Sequence, residues 1–127
     1  MKELKAVAVY CASSTQLPQK YYEAAACVGE LLGRRGATLV NGAGNMGLMQ
    51  ASSDACLAAG GKVVGVMPTF MIEQDWHHRG LTELVETPDM NARKALMAER
   101  SDAAIVLPGG VGTMDEFFDI ITLKQLG

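Results

Sequence analysis

Short apolar runs alternate with longer amphipathic segments along the chain, and this alternation restricts the possible folds more than any other feature. We predict strands over residues 5–10, 37–40, 62–67, 81–86 and 103–107, the fourth being the weakest. We predict helices over residues 18–35, 48–59, 91–100 and 113–125, whereas residues 69–79 fit either a short helix or an ordered loop. Because the strands lack a polar face, the pattern predicts an α/β fold: a Rossmann-like, doubly wound parallel sheet with helices on both faces.

The length of the chain bears on the number of domains. A chain of 127 residues with 49% hydrophobic residues suits one domain, residues 1–127, with a single core. A doubly wound sheet usually continues beyond a helix such as the one predicted at residues 113–125. We therefore expect a Rossmann-like domain that is minimal or truncated and that lacks its last βα unit or units.

Charge and patterning exclude several classes of protein. The net charge of −3 disfavours wholesale nucleic-acid binding, which depends on neutralising phosphates. No apolar run approaches the roughly 20 residues of a membrane span, and no signal peptide is recognisable. Cys11, Cys27 and Cys56 lack metal-binding spacing and lie in apolar contexts, so we expect buried, reduced thiols. Together these features predict a cytoplasmic protein without nucleic-acid or membrane partners.

Two glycine-rich turns that follow predicted strands are the first candidates for a binding site. Residues 42–47 match G-x-G-x-x-G, which indicates either a backbone that approaches a phosphate or a tight turn that only packs closely. A dinucleotide site would place an acid at the end of the next strand, but that strand ends in Met67-Pro68. The pattern therefore disfavours NAD.

The second turn, residues 108–113 (PGGVGT), is the stronger signal for an anion. Its glycines allow successive N–H groups to converge on one phosphate, and Thr113 could cap the next helix or donate its hydroxyl. No lysine stands where a P-loop requires one, which disfavours hydrolysis of nucleoside triphosphates by that route. A plain strand-to-helix turn is the alternative.

Charged residues near these turns are candidates for chemistry. Asp115 and Glu116 could complement the helix dipole, but a carboxylate beside a phosphate-binding turn could also activate water or stabilise a cation. Arg93 and Lys94 open a predicted helix, where positive charge opposes the dipole. Either an anion site or an exposed basic pair explains them, and Arg100 is expected to be structural.

The two histidines give a weaker signal. His77 and His78 are adjacent and would not face the same way on a helix, which disfavours a metal site. Glu73 and Asp75 could line the mouth of a pocket. We expect neither a metal nor a cofactor.

Four motifs occur together in this chain. They are residues 11–14 (CASS), 42–49 (GAGNMGLM), 90–94 (MNARK) and 108–116 (PGGVGTMDE). In this combination they resemble the Lonely guy family of cytokinin riboside 5'-monophosphate phosphoribohydrolases, once labelled "possible lysine decarboxylases". The pairing of M-x-x-R-K with P-G-G-x-G-T-x-x-E is specific to that family, and the resemblance covers essentially the whole chain.

The resemblance implies a Rossmann-like homodimer that cleaves the N-glycosidic bond of a nucleoside 5'-monophosphate. The products would be the free base and ribose 5-phosphate. By motif position, the resemblance implies Arg93 and Glu116 as the catalytic pair. The residues that it implies for the substrate site are Gly42, Gly44, Asp75, Lys94, Gly109, Gly110, Val111, Gly112, Thr113, Met114, Asp115 and Thr122.

The residue types suit this chemistry. Glycosidic cleavage develops positive charge on the ribose, which a carboxylate such as Glu116 would stabilise while orienting or deprotonating the attacking water. Arg93 would hold the phosphate or assist the leaving base, and the sequence leaves both roles open. The base is equally open: AMP, an N6-modified cytokinin nucleotide or another monophosphate.

The chain departs from the family pattern in two places. The family usually has Tyr-Gly-Gly-Gly where this chain has Asn41-Gly42-Ala43-Gly44, so base preference or affinity could differ. Family members also continue past Gly127 with at least one more strand and helix. A nucleotide-binding module without turnover is the alternative function. Decarboxylation of lysine needs a lysine that forms a Schiff base with pyridoxal phosphate. It is disfavoured, because the one lysine near the predicted site, Lys94, is better suited to binding phosphate.

Overall fold

The computed structural model describes residues 4–11 and 16–107, in which strands and helices alternate as predicted. The strands are β1 (Ala6–Tyr10), β2 (Thr38–Asn41), β3 (Lys62–Pro68), β4 (Glu83–Thr87) and β5 (Ala103–Val106). The helices are α1 (Gln19–Arg34), α2 (Gly47–Ala58), α3 (Thr69–Glu73) and α4 (Met90–Glu99). The ambiguous segment therefore begins as a short helix, and the turn and helix predicted over residues 108–125 lie outside the described residues.

The described strands form one parallel sheet in the order β4-β3-β2-β1-β5. The chain adds β2, β3 and β4 on one side of β1 and then crosses to place β5 on the other side. This reversal makes the carboxyl ends of β1 and β5 a topological switch point, where ligands of such sheets bind. The predicted Rossmann-like α/β fold is confirmed.

Alternate residues of the strands point into two separate cores. Val7 and Val9 of β1 pack in the cluster that contains residues of α1 and α2. Ala8 and Tyr10 pack on the opposite face, with Met97 of α4. Because both faces of the sheet are covered, the successive apolar residues from Val7 to Tyr10 in β1 are all buried, which explains the continuous apolar run.

Close packing of α1 on α2 depends on two glycines of α1. A Cβ added to Gly29 would lie 2.1 Å from the carbonyl oxygen of Ser52, and one added to Gly33 would lie 2.7 Å from that of Cys56. The backbones of the two helices therefore approach each other where side chains would hold them apart. Helix α1 ends at Arg34, and Gly36, with a φ of +72°, follows in the left-handed conformation that commonly terminates helices.

Two expectations about burial are wrong: that every strand lacks a polar face, and that all three cysteines are buried. Strands β4 and β5 are not buried on both faces. Each is an edge strand of the described sheet, and each carries exposed residues. Cys27 is exposed on α1, whereas Cys11 and Cys56 are buried as predicted.

Among the helices described, none is long and apolar enough to cross a bilayer.

Replacing Gly29 with alanine tests the contact between α1 and α2, because helix propensity and the clash change the free energy of unfolding in opposite directions. Helix propensity alone would stabilise the protein by about 1 kcal/mol. The clash with Ser52 predicts the opposite, a loss of about 1–3 kcal/mol in the free energy of unfolding. Urea denaturation measures the change. The control is Glu23→Ala, at an exposed position of the same helix, whose free energy of unfolding should stay within about 0.5 kcal/mol of the wild type. A Gly29→Ala protein with unchanged or increased stability would refute the packing argument.

Candidate active site at the carboxyl edge of the sheet

The candidate site is built around Arg93, which extends from the first turns of α4 to the carboxyl ends of β2 and β3. Its side chain is buried, with the residue only 7% exposed. Its Nε donates a hydrogen bond of 2.8 Å to the carbonyl of Val66 in β3, and its Nη2 donates to the carbonyl of Gly42 just after β2. Nη1 lies 3.6 Å from the sulfur of Met90 and 3.9 Å from that of Met71.

The burial and hydrogen bonds of Arg93 distinguish between the two explanations of Arg93 and Lys94, an anion site and an exposed basic pair. An exposed basic pair is wrong for Arg93, because its guanidinium is buried against two backbone carbonyls. The partial negative charge of those oxygens offsets the unfavourable position of a cation near the start of a helix. Asp89 favours the same helix start, since its carboxylate accepts a hydrogen bond of 2.8 Å from the Ala92 N–H. Lys94, the next residue along the helix, is half-buried.

Gly42 leaves the space that Arg93 occupies. A Cβ at this position would lie 1.8 Å from Nη2 of Arg93. The glycine is therefore required for the arginine's position, whatever the turn binds. The same turn continues through Gly44, whose N–H points at the sulfur of Met49 at 2.9 Å.

The chain's departures from the family pattern in this turn are accommodated locally. Ala43 has a φ of +67°, which alanine rarely adopts, and it is fully buried. Gly65 of β3 makes room for it, because a Cβ on Gly65 would lie 2.5 Å from the Ala43 methyl. Asn41 replaces an aromatic ring with a buried amide that donates to Ser53 at 2.7 Å and accepts from the Ala43 N–H at 2.9 Å.

Asp75 lies beside this turn, in the connection from α3 to β4. Its backbone has a φ of +63°, and its carbonyl accepts a hydrogen bond of 3.4 Å from the Asn45 side chain. Its exposed carboxylate binds the guanidinium of Arg79, which lowers the pKa of the carboxyl mainly through that hydrogen bond. The structure thus brings Asp75 to the glycine turn, with its carboxylate already paired.

Of the residues named from sequence, the structure brings Gly42, Gly44, Asp75 and Arg93 to one edge of the sheet. Arg100 pairs with Glu83 of β4 at 3.1 Å, in keeping with a structural role. The remaining candidates lie outside the described residues: Gly109, Gly110, Val111, Gly112, Thr113, Met114, Asp115, Glu116 and Thr122.

Sequence reasoning missed one polar pair at this edge. The Nε2 of His78 lies 2.6 Å from the carboxylate of Asp54 on α2. The two residues are 24 positions apart, and neither belongs to a recognisable motif. Only the packing of the segment after α3 against α2 reveals the pair.

The model of a family described as "Possible lysine decarboxylase" matches residues 49–127. The chain belongs to this family. The resemblance to the Lonely guy family is thereby confirmed, and the match includes both Arg93 and Glu116.

Individual relatives agree with this assignment. A protein of Rhodococcoides fascians named cytokinin riboside 5'-monophosphate phosphoribohydrolase is 45% identical over 97% of this chain and 63% of its own length. A protein of the same name from Mycobacterium tuberculosis is 46% identical over 95% of this chain and 64% of its own. The chain thus spans less than two thirds of these Lonely guy relatives.

The solved structures support the fold alone. The molybdenum cofactor binding protein of Rippkaea orientalis has a TM-score of 0.83 and 22% sequence identity. The alignment covers 98% of this chain and 74% of that protein. At this level of identity the likeness carries no statement about ligands.

Arg93→Lys tests the role of the guanidinium in the site's architecture. One ammonium group cannot reproduce the planar arrangement that serves both carbonyls, so a buried acceptor loses its partner. We expect the free energy of unfolding, measured by urea denaturation, to fall by about 1–3 kcal/mol. Arg100→Lys, the same change on the exposed end of α4, should cost less than about 0.5 kcal/mol, and equal losses would contradict the prediction.

Arg79→Gln tests the ion pair of Asp75. Without the guanidinium, the pKa of the Asp75 carboxyl should rise back toward its ordinary value. Because the pair lowers this pKa, its contribution to stability is present above the ordinary value and is lost as pH falls through the lowered one. An NMR titration of the carboxyl carbon measures the shift, and an unchanged titration would show that Arg79 does not hold the carboxylate.

Proposed function

We propose that this chain is the nucleotide-binding part of a phosphoribohydrolase that hydrolyses the N-glycosidic bond of a nucleoside 5'-monophosphate. The products are the free base and ribose 5-phosphate. The observation that carries the proposal is the buried Arg93 guanidinium beside the glycine turn, at the carboxyl edge of the sheet. The chain's membership of the Lonely guy family gives this site its expected reaction. The names of the relatives from R. fascians and M. tuberculosis support the same reaction.

The sheet topology supports a nucleotide that spans the edge. Gly42 follows β2, and residues 108–113 follow β5 in the sequence. The ends of β2 and β5 are two strand spacings apart in the sheet, about 10 Å, a gap that a nucleoside monophosphate can bridge. In this proposal, the second turn takes the phosphate, because its glycines suit an anion, and Arg93 supplies positive charge near the sugar or base.

The bond cleavage follows from the charges. As the bond between C1' and the base nitrogen breaks, its electron pair leaves with the base and positive charge develops on the ribose. Glu116 stabilises that charge and accepts a proton from the water whose oxygen bonds to C1', while the departing base nitrogen takes up one proton, so that one water is consumed overall. Binding of the phosphate fixes the sugar, so that binding energy remote from the reacting carbon lowers the barrier.

The finer features are also part of the proposal. N6-modified adenosine monophosphates are the substrates, since the relatives' name specifies a cytokinin riboside 5'-monophosphate, and AMP, which has the same ribose phosphate and purine ring, is a second substrate. The protein acts as a homodimer, as the family resemblance implies. It works in the cytoplasm, which agrees with two buried cysteines that form no disulfide.

Chromatographic detection of free base tests the function. The purified chain is incubated with AMP and with N6-isopentenyl-AMP, and base and ribose 5-phosphate are quantified together. We expect equal molar release of both products. Glu116→Gln should slow the release by about 10²–10⁴-fold, the range for removal of a general base.

The control is Glu99→Gln, a change of the same kind at the exposed end of α4, which should keep the wild-type rate. A folded protein that binds AMP without releasing base would contradict hydrolysis and favour a nucleotide-binding module. Equal rates for Glu116→Gln and the wild type would overturn the role of the carboxylate.

A further inference from the structure

The segment over residues 75–78, here called the strap, runs antiparallel to the glycine turn at the candidate site. Gly44 and His77 form an isolated antiparallel bridge, and the His78 N–H donates to the Ala43 carbonyl at 2.7 Å. The Trp76 carbonyl accepts a hydrogen bond of 3.2 Å from the Asn45 N–H. The strap therefore lies against the turn that also contacts Arg93.

The side chain of His78 fastens the strap to α2. Its Nδ1 accepts a hydrogen bond of 2.9 Å from the Gly80 N–H, so the neutral ring carries its proton on Nε2. That Nε2–H donates to the carboxylate of Asp54 at 2.6 Å. The imidazole is only 12% exposed, and both ring nitrogens are occupied, which fixes its orientation.

Trp76 is the large apolar residue that the strap presents to solvent. It is 47% exposed and is the one tryptophan of the chain. Its backbone N–H donates a hydrogen bond of 3.3 Å to the carbonyl of Met71, and the sulfur of that methionine lies 3.9 Å from Nη1 of Arg93. Exposed apolar side chains at the same edge are Met46, Phe70 and Met90.

An exposed indole on a fastened segment beside the glycine turn suits one kind of ligand. A nucleobase is a flat ring that stacks on aromatic side chains, whereas a sugar phosphate gains little from them. His78 and Asp54 use a charge-assisted bond to hold the segment that bears the indole. The strap therefore presents an exposed aromatic side chain beside the turn that also contacts Arg93.

We propose that Trp76 is a base-contacting, specificity-determining residue of this site and that the His78–Asp54 pair is its positioning device. The proposal rests on the proposed function for the identity of the ligand as a nucleoside monophosphate. It adds that the base is held by the strap, separately from the groups that hold the sugar phosphate.

Two ligands that differ only in the base separate this contact from the rest of the site. Equilibrium dialysis measures the affinity for AMP and for ribose 5-phosphate of Trp76→Ala, Trp76→Phe and unchanged Trp76, all in the Glu116→Gln protein so that AMP is not consumed. Trp76→Ala should weaken AMP binding by roughly 5- to 150-fold, the range for loss of one stacked base. It should leave ribose 5-phosphate binding unchanged, and Trp76→Phe should restore much of the lost affinity because it keeps a ring. Unchanged AMP binding, or equal losses for the two ligands, would overturn the base contact.

Intrinsic fluorescence tests the positioning pair without any substrate, because Trp76 is the sole tryptophan and reports on the strap directly. We expect Asp54→Ala and His78→Ala to increase quenching of Trp76 by acrylamide and to raise KM for AMP more than they change kcat. Asp54→Asn keeps an acceptor for Nε2–H and should resemble the wild type. Glu30→Gln, which removes an ion pair that is also 2.6 Å long but lies within α1, is the control and should change neither quantity.

The two experiments also distinguish failure of this proposal from failure of the proposed function. AMP bound through Trp76 without release of base would contradict hydrolysis but support the strap. Base release with wild-type quenching and KM in Asp54→Ala and His78→Ala would support hydrolysis and overturn the positioning role.

Discussion

The guanidinium of Arg93 is the interaction on which the carboxyl edge of the sheet depends. It donates to the carbonyls of Val66 and Gly42, so that one side chain of α4 ties the end of β3 to the turn after β2. A buried carbonyl left without its donor costs about 1–3 kcal/mol, so the turn, the strand and the helix are stabilised together. The arginine thus serves the architecture whether or not it also touches a ligand.

Small residues make this arrangement possible, because each leaves space for a neighbouring side chain. Gly42 leaves room for Arg93, and Gly65 leaves room for the methyl of Ala43. Ala43 in turn adopts a left-handed backbone conformation that costs roughly 1–2 kcal/mol for a residue with a Cβ. Its burial against β3 and the amide of Asn41 bonded to its N–H offset that cost. The departure from the family's glycine triplet is therefore a compensated change within the turn.

The fold could be predicted because its determinants are local or periodic. Apolar runs of strand length separated by helical patterns are sufficient to indicate a parallel sheet, and Gly36 and Asp89 mark helix ends through backbone and capping preferences. Exposure of β4, β5 and Cys27 could not be predicted in the same way. It depends on strand order and on which side of α1 meets α2, and neither is encoded in a single segment.

The candidate site was predictable only in part, for a similar reason. The motif identified Arg93, but its partners are backbone carbonyls, which every residue carries and no residue type reveals. His78 and Asp54 meet only because the chain returns to α2 after α3. Residue types locate candidate chemistry, whereas the long-range contacts that orient it have to be seen in three dimensions.

The position of the buried cation also bears on the description attached to the family. A pyridoxal-dependent decarboxylation needs a lysine amine that can form a Schiff base with the cofactor. The cation buried at this edge is an arginine, which stays protonated and does not perform that chemistry. Lys94 is the next residue on the helix, and adjacent helical residues do not face the same way, while Lys62 begins β3 at the opposite edge of the sheet. A fixed positive charge beside a glycine turn instead favours an anionic ligand whose reaction develops charge, as cleavage of a nucleoside monophosphate does.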